Sequence, residues 1–147
     1  MRGIQPLIGF GRKQLSLIHS HDLVEGILLA SQLRQAIGQI YFLGSERSYT
    51  TQDIGNAIAY AVNRVPMKVR LPHSLVYTVG AVAEIVGKLT GKQVFFNLQK
   101  AKESVQPAWV CSVEKAKSQL GFHQSIALDE GMAQTYYWYT QNGWLKN

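Results

Sequence analysis

Short apolar segments alternate along the chain with longer stretches whose hydrophobic residues recur at helical spacing. Residues 15–19 and 39–43 are apolar runs that predict two strands, and the second run ends at Gly44. The stretch from Asp22 to Gly38 lies between them and has the periodicity of a helix. A strand, a helix and a strand in this order predict a parallel strand pair joined by a crossover.

The helix of residues 22–38 carries a start signal and a candidate buried face. Asp22 followed three residues later by Glu25 has the spacing of a capping box, so we expect Asp22 to cap the helix. Leu23, Ile27 and Ala30 recur at helical spacing and predict the face that packs on the core.

Three further elements are predicted in the middle of the chain. Thr50 with Asp53 has the spacing of a capping box and predicts the start of a second helix. Residues 67–71 predict a strand, which leads through Pro72 into a third helix that Gly91 ends. The apolar positions of this third helix share one face and predict a buried stripe, formed by Leu75, Val79, Val82 and Val86.

The last third of the chain predicts a short helix after Asn97, a strand over residues 108–111 and two closing helices. Ser112 is the expected cap of the first closing helix, and Gly121 is its expected end. The final helix is predicted over residues 128–142, with Gly143 after it and either no side-chain cap at Ala127 or an earlier one at Ser125. Its aromatic residues are expected to pack the helix against the core: Tyr136, Tyr137, Trp138, Tyr139 and Trp144.

Composition narrows the class of protein. Hydrophobic residues make up 46% of the 147 positions and charged residues only 16%, which excludes a disordered chain and favours one globular domain. The single cysteine, Cys111, excludes an internal disulfide framework, and with no signal peptide or long apolar span it favours a cytoplasmic protein without a membrane anchor. The net charge of +6 is scattered and lacks a nucleic-acid-binding motif, so anionic small molecules are the more natural partners.

Several motifs resemble one enzyme family in order and spacing. Residues 17–23 read Leu-Ile-His-Ser-His-Asp-Leu, and residues 109–116 read Trp-Val-Cys-Ser-Val-Glu-Lys-Ala. Leu-Gly-Phe follows at 120–122, Thr-x-x-Trp-Tyr at 135–139 and Gly-Trp-Leu at 143–145. Together they resemble the C-terminal part of the extended short-chain dehydrogenases/reductases, the NAD-dependent epimerase/dehydratase superfamily, and within it the reductase/3β-hydroxysteroid dehydrogenase-like branch.

The resemblance implies an α/β fold: the helix-rich C-terminal portion of a Rossmann-type enzyme, with short and mainly parallel strands. It implies one substrate-binding domain over residues 1–147 and an N-terminal dinucleotide-binding domain that is absent from the chain. Gly9 and Gly11 lack a third glycine in phase, and no tyrosine has a lysine four residues later, so neither the cofactor loop nor the catalytic Tyr-x-x-x-Lys is present. We therefore expect NAD or NADP in the parent enzyme, no bound cofactor on this chain alone, and no catalytic residue here.

The family contains alternatives that the sequence weighs unequally. The favoured function is the substrate-binding portion of an NAD(P)-dependent oxidoreductase acting on a hydroxyl or keto group. A nucleotide-sugar epimerase or dehydratase is the second, but Leu15 stands where those enzymes place an arginine on the diphosphate. The third is a stand-alone binding or interaction module without catalysis.

The resemblance also indicates which residues face a small-molecule substrate. The segment of residues 72–99 covers the substrate cleft in such enzymes, and cations lie just before the 15–19 strand. The expected substrate-facing residues are Arg12, Lys13, Ser16, Tyr77, Asn97 and Gln99. His19 and His21 share a strand face but lack further ligands, so we expect His19 to be packed, His21 to face a loop, and no metal site.

The predicted strand of residues 39–43 would join the edge of a large parallel sheet in a complete enzyme, buried on both faces. Without that sheet it exposes apolar side chains and unpaired backbone groups. We therefore expect either the missing N-terminal half or a second copy of this chain as a protein partner, most simply in a two-fold dimer. Trp109 and Leu17 are expected on neighbouring strands.

Overall fold

The computed structural model of the chain describes residues 3–145. The bounds of its helices and strands are as follows. The strands are β1 (Ile4–Ile8), β2 (Gln14–Leu15), β3 (Tyr49–Thr50), β4 (Met67–Leu71) and β5 (Ala108–Trp109). The helices are α1 (Ser20–Gln32), α2 (Thr51–Ala61), α3 (His73–Thr90), α4 (Leu98–Val105), α5 (Glu114–Leu120) and α6 (Leu128–Gln141), with a 3₁₀ turn at Arg34–Ala36. The class is α/β and helix-rich, as predicted.

The chain divides into two compact units, each built from two separate segments. Unit 1 comprises the residues up to Lys13 together with Pro66–Ala108, and unit 2 comprises Gln14–Val65 together with the segment from Trp109 onward. That the whole chain forms one substrate-binding domain stays a prediction. Among residues 3–145, no helix combines the length and the apolar character needed to cross a membrane.

Unit 1 is a pair of parallel strands followed by two packed helices. β1 pairs with β4 in parallel register from Ile4 opposite Met67 to Ile8 opposite Leu71. The sequence predicted β4 and missed β1, although the apolar residues just before Gly9 were a usable signal. β4 continues through Pro72, the N-cap of α3, and α3 ends at Gly91 in the left-handed conformation with φ 64°, as predicted.

The predicted buried stripe of α3 is wrong. Its four apolar residues are roughly half exposed, at 45%, 49%, 54% and 49%: Leu75, Val79, Val82 and Val86. The buried positions are instead Val76, Gly80 and Gly87, one step further round the helix. Glycine is needed at position 80 because α4 packs closely there: a Cβ on Gly80 would lie 2.9 Å from both the Ala101 Cβ and the Asn97 carbonyl oxygen.

Unit 2 is built around a small core at the end of α5. Ala116 and Leu120 of α5 and the following Phe122 are buried, and Phe122 is only 1% exposed. Side chains from the segment that runs from just before α1 to just after the 3₁₀ turn pack against this core: Ile18, Leu29, Ala30, Leu33, Ala36, Tyr41 and Leu43. Gly121 ends α5 with φ 68°, as predicted. The predicted start is off by one residue, because the N-cap is Val113 and not Ser112, although the Ser112 hydroxyl accepts from the Glu114 N–H.

The sheet of unit 2 is small and has the order β3-β2-β5. β2 and β3 are antiparallel, with Leu15 opposite Tyr49, and the Ser16 N–H donates to the Trp109 carbonyl at 2.9 Å. The strand before α1 and the strand of Trp109 were predicted to be neighbours, and the pairing of β2 with β5 confirms this. β2 nevertheless stops at Leu15, two residues before Leu17. β5 likewise ends at Trp109, not at residue 111.

The predicted strand of residues 39–43 is wrong, and so is the parallel crossover built on it. These residues form no strand in the structure. Tyr41 and Leu43 pack on the core of unit 2, whereas Ile40 and Phe42 are 76% and 61% exposed. The side chains therefore alternate as in a strand, but the described part of the chain supplies no neighbouring strand for the backbone to pair with.

Asp22 holds α1 against the segment that leads into α6. The predicted capping role is wrong, because α1 begins after His19, whose Nδ1 accepts from the His21 N–H at 3.3 Å. The Asp22 carboxylate is 1% exposed and accepts hydrogen bonds from the Ser125 hydroxyl and from two backbone N–H groups, Ser125 at 3.3 Å and Ile126 at 3.1 Å. Ser125 is therefore not a cap of α6, which begins at Leu128 after Ala127 without a side-chain cap.

The pKa of Asp22 follows from these contacts. Burial alone raises the pKa of this carboxyl, but the hydrogen bonds from Ser125 and Ile126, with a smaller contribution from His21, bring the pKa below its ordinary value. A carboxyl whose pKa is lower in the folded state stabilises the fold above its unfolded pKa, and this stability is lost as the pH falls through the folded pKa.

We predict that Asp22→Asn lowers the free energy of unfolding by about 1–3 kcal/mol at neutral pH. The NH₂ group of the asparagine is itself a donor, and it would face donors from which the carboxylate accepts hydrogen bonds. The difference from wild type should shrink below about pH 4, where the carboxyl of the unfolded chain is protonated. Urea unfolding followed by circular dichroism at several pH values measures both effects. Glu25→Gln, an exposed change on the same helix, is the control and should be nearly neutral; equal stability of Asp22→Asn and wild type would contradict the assignment.

We also predict that Gly80→Ala destabilises unit 1. The added methyl group meets Ala101 and the Asn97 carbonyl, and overpacking of this kind costs about 1–3 kcal/mol, more than the roughly 1 kcal/mol that alanine gains over glycine in a helix. Thermal unfolding of Gly80→Ala should therefore show a lower Tm. Thr78→Ala, at an exposed position of α3, is the matched control and should leave the Tm nearly unchanged. A Tm increase in Gly80→Ala would show that α3 and α4 are less closely packed.

Candidate functional site

A polar pocket of about 820 Å³ opens on unit 1 where α3 ends and α4 begins. Two of the predicted substrate-facing residues, Asn97 and Gln99, line it. Its charged lining consists of one carboxylate and three ammonium groups: Glu84, Lys88, Lys92 and Lys102. The lysines and the carboxylate were not predicted as site residues, although the i, i+4 spacing of Lys88 and Lys92 around the helix end was visible in the sequence.

Two polar residues shape the wall of this pocket. The Asn97 side chain is the N-cap of α4, and its Oδ1 accepts from the Lys100 N–H at 2.9 Å. The Glu84 carboxylate accepts from the Lys88 ammonium at 2.7 Å and from the Leu98 N–H at 3.4 Å. Glu84 therefore links the last turns of α3 to the first turn of α4.

The electrostatics of the pocket favour anions. The hydrogen bond from Lys88 lowers the pKa of Glu84, as do the Leu98 N–H and the charges of Lys88 and Lys102, so Glu84 is ionised at neutral pH. One negative charge then stands against the positive charges of Lys88, Lys92 and Lys102. The net charge of the pocket lining is therefore positive, and the ammonium groups are exposed enough to reach a carboxylate or phosphate of a ligand.

The structure does not bring the other predicted substrate-facing residues into this pocket. Tyr77 lies on α3, 36% exposed, and Arg12 is exposed in the segment after β1. The Lys13 ammonium is turned inward, where it donates to the Ser104 carbonyl and burial lowers the pKa of Lys13. Ser16 belongs to unit 2, where its hydroxyl accepts from the Cys111 N–H at 3.2 Å. Contact of these six residues with a substrate stays a prediction.

Unit 2 carries two cavities beside the first turn of α1. One of 240 Å³ is mainly apolar and lies between residues 17–20, Tyr49 and the start of α6. The other, of 450 Å³, is lined by aromatic residues of α6, namely Tyr137, Trp138 and Tyr139. The expectation that the aromatic residues of α6 pack into the core is wrong for Tyr137, Trp138 and Trp144, whose exposed fractions are 65%, 53% and 72%. Trp138, Tyr139 and Trp144 pack on one another, with ring centroids 5.3–6.4 Å apart.

The prediction that His19 and His21 share one face of a strand is wrong. His19 is half-buried at the N-cap of α1, and His21 lies inside the helix with an exposed side chain. In the part of the chain that the structure describes, no three His, Cys, Asp or Glu side chains are grouped so that they could bind a metal ion.

The described residues do not fit a dinucleotide. Gly9 ends β1 with φ 77°, but a Cβ at this glycine would lie 2.3 Å from the His73 Nε2, so the imidazole fills the space that a pyrophosphate needs. The residues after Gly9 form a bend and not the helix whose N-terminus would face the phosphates.

Comparison with known sequences identifies relatives that are much longer than this chain. The uncharacterized protein y4nL of Sinorhizobium fredii is 30% identical over 145 residues, which are 94% of this chain and 40% of that protein. The ceramide reductase of Caulobacter vibrioides is 31% identical over 133 residues, 90% of this chain and 41% of the relative. The 2-alkyl-3-oxoalkanoate reductase of Shewanella oneidensis is 29% identical over 119 residues, 72% and 29% of the two chains. No family model matches the sequence.

Comparison with solved structures gives the same fold. The epimerase Mth375 of Methanothermobacter thermautotrophicus superposes with a TM-score of 0.69 at 18% identity, covering 96% of this chain and 34% of that one. The UDP-glucuronic acid 4-epimerase of Bacillus cereus, solved in complex with NAD, superposes with a TM-score of 0.63 at 14% identity over 95% and 35%. The chain therefore has the fold of solved epimerases and is similar in sequence to two reductases, and in each case it matches less than half of the longer protein, which fits a C-terminal portion.

Proposed function

We propose that this chain is the substrate-binding portion of an NAD(P)-dependent oxidoreductase that acts on a hydroxyl or keto group. The observation that carries the proposal is the 31% identity to a ceramide reductase over 90% of the chain. The 2-alkyl-3-oxoalkanoate reductase supports the same reaction class at 29% identity. Each unit contains a cavity large enough for a small ligand. The described residues do not form a dinucleotide-binding loop, and both features are expected of a portion that binds substrate and not cofactor.

A nucleotide-sugar epimerase or dehydratase is the second candidate, because solved epimerases share the fold. The residue at the position of the diphosphate-binding arginine weakens this candidate. Leu15 occupies it, half-buried in β2 and opposite Tyr49 of β3, and a leucine side chain offers no hydrogen bond to a diphosphate. The reductase therefore remains the better supported function.

The lysine-rich pocket of unit 1 bears on the substrate. Lys88, Lys92 and Lys102 would hold an anionic group of the substrate, or of a carrier attached to it, away from the reacting carbonyl. Binding energy from such a remote group helps to orient the reacting carbon.

A chimera tests the proposed reaction. We would join this chain to the part of the Caulobacter reductase that it does not match, and supply 2-alkyl-3-oxoalkanoates and nucleotide sugars as alternative substrates. We predict that reduced cofactor is oxidised with the keto compounds only, at a rate that rises with substrate concentration. Saturable binding of reduced cofactor by the chimera shows that it has folded.

This chain alone is the matched control for the chimera. It should show no saturable binding of reduced cofactor at tens of micromolar, a concentration within the usual range of enzyme affinities. Turnover of nucleotide sugars by the folded chimera would favour the epimerase. A folded chimera that binds cofactor and leaves every substrate unchanged would favour a binding module.

The surface of unit 2 supports a protein partner for this portion. α1 presents Leu23, Val24, Ile27 and Leu28 to solvent, with exposed fractions of 37–54%, while Gly26 and Leu29 face the core. A helix that is apolar nearly all round is normally buried on both sides. Together with the exposed Ile40 and Phe42, this surface would be covered by the remaining half of the enzyme or, in its absence, by a second copy of the chain.

For the isolated chain we predict a dimer that forms through this apolar surface. Light scattering at several concentrations should show the mass rising from one chain towards two. The double variant Ile40→Lys/Phe42→Lys should remain monomeric, because charges would be buried without partners in the interface. Ile37→Lys/Gln39→Lys, two exposed changes just before this segment, is the matched charge control and should still associate. A wild-type chain that stays monomeric at high concentration would contradict the prediction.

A further inference from the structure

The two cavities of unit 2 share one edge, formed by His19, Ser20 and Thr135. The imidazole of His19 is held at this edge by two contacts. Its Nδ1 accepts from the His21 N–H at 3.3 Å, and its ring lies against Gly131 of α6, where an added Cβ would come within 3.2 Å of the His19 Cδ2. The ring therefore has one orientation, fixed by the helix that it caps and the helix that it touches.

The tautomer of His19 follows from these contacts. Because Nδ1 accepts a hydrogen bond, the neutral ring carries its proton on Nε2, which is then a donor. The Ser20 hydroxyl is a second polar group at the same edge. Within residues 3–145, neither the His19 Nε2 nor the Ser20 hydroxyl has a hydrogen-bond partner, whereas the Thr135 hydroxyl already donates to the Gly131 carbonyl at 2.7 Å. Two donors thus meet at the boundary between the cavities.

The 240 Å³ cavity next to this edge is apolar. Its walls include the apolar side chains of Leu17, Ile18, Ile126, Leu128 and Met132, and Tyr49, Gln124, Ala127 and Gly131 complete the lining. The amide of Gln124 is engaged with the Glu46 N–H and the Ile126 carbonyl. A methionine suits a wall that adapts to a flexible ligand. An apolar interior with two donors at its mouth matches a molecule with an alkyl chain and an oxygen-bearing head.

We propose that this groove is a binding site for an acyl chain: the alkyl chain lies in the apolar cavity, and the carbonyl or carboxylate oxygen accepts from the His19 Nε2–H and the Ser20 hydroxyl. The aromatic cavity on the other side of His19 holds whatever group extends beyond the head, against the exposed face of Trp138. The site lies wholly in unit 2 and its occupation requires no cofactor, so the proposal is independent of the oxidoreductase assignment.

Decanoate is the probe, titrated into the full chain by isothermal titration calorimetry at concentrations below those at which it forms micelles. We expect saturable binding at one site per chain. Hexanoate should bind at least about tenfold more weakly, since each methylene group that leaves water contributes roughly a fourfold gain in affinity. Equal affinity for decanoate and hexanoate, or non-saturable uptake, would overturn the proposal.

Three variants locate the site. His19→Asn keeps an oxygen that can cap α1 but removes the ring donor, and it should weaken decanoate binding about threefold to tenfold. Met132→Trp fills the apolar cavity and should abolish binding, with circular dichroism as the check that the chain has folded. His21→Asn, with a side chain 61% exposed on the same helix, is the matched control and should bind as wild type does.

Two outcomes would count against the groove. Unchanged binding in folded Met132→Trp would place decanoate elsewhere. Decanoate affinity that falls as the chain dimerises, with no effect of His19→Asn, would show that a second copy of the chain covers the cavity instead of an acyl chain.

Discussion

The buried carboxylate of Asp22 is the interaction on which most of unit 2 depends. It is a single charge, 1% exposed, held by three donors from two consecutive residues that lie 103 and 104 positions further along the chain. A charge in such a place is tolerated only when hydrogen bonds replace its water, and here they replace it fully enough to lower the pKa. The same contact sets where α6 begins relative to α1. It therefore also fixes how closely Gly131 approaches His19, and so the shape of the two cavities between them.

Local signals in the sequence were reliable where the partner is also local. The capping box of Thr50 and Asp53 is present in both directions, with the Thr50 N–H donating to Asp53 at 2.9 Å. Gly91 and Gly121 end their helices in the left-handed conformation, which only the absence of a Cβ makes inexpensive. Asn97 caps α4 and lines the pocket of unit 1, since a residue that caps a helix also marks where the loop before it ends.

The errors arose where a distant partner decides the outcome. Asp22 has the spacing of a capping residue with Glu25, yet its donors come from the other end of the chain. Residues 39–43 have the composition of a strand, but a strand also needs a neighbour to pair with. The stripe of α3 was misplaced by one step because both candidate faces are apolar, and only the close approach of α4 selects the face with Gly80. The position of the Lys13 ammonium group is likewise decided by a distant residue, because it donates to the carbonyl of Ser104, 91 residues away.

The division of the chain into two interleaved units has a consequence for synthesis. β1 can form its strand pair only after β4, about sixty residues downstream, has been synthesised. α1 likewise lacks its contact with the residues that hold Asp22, which lie more than a hundred residues downstream. Closing loops of that length costs conformational entropy before any native contact compensates for it. During translation, α1 therefore emerges with both of its apolar faces uncovered and stays so until the residues that hold Asp22 have been synthesised. A nascent chain in that state exposes apolar surface for a long time, which makes it prone to aggregation and a natural client of chaperones.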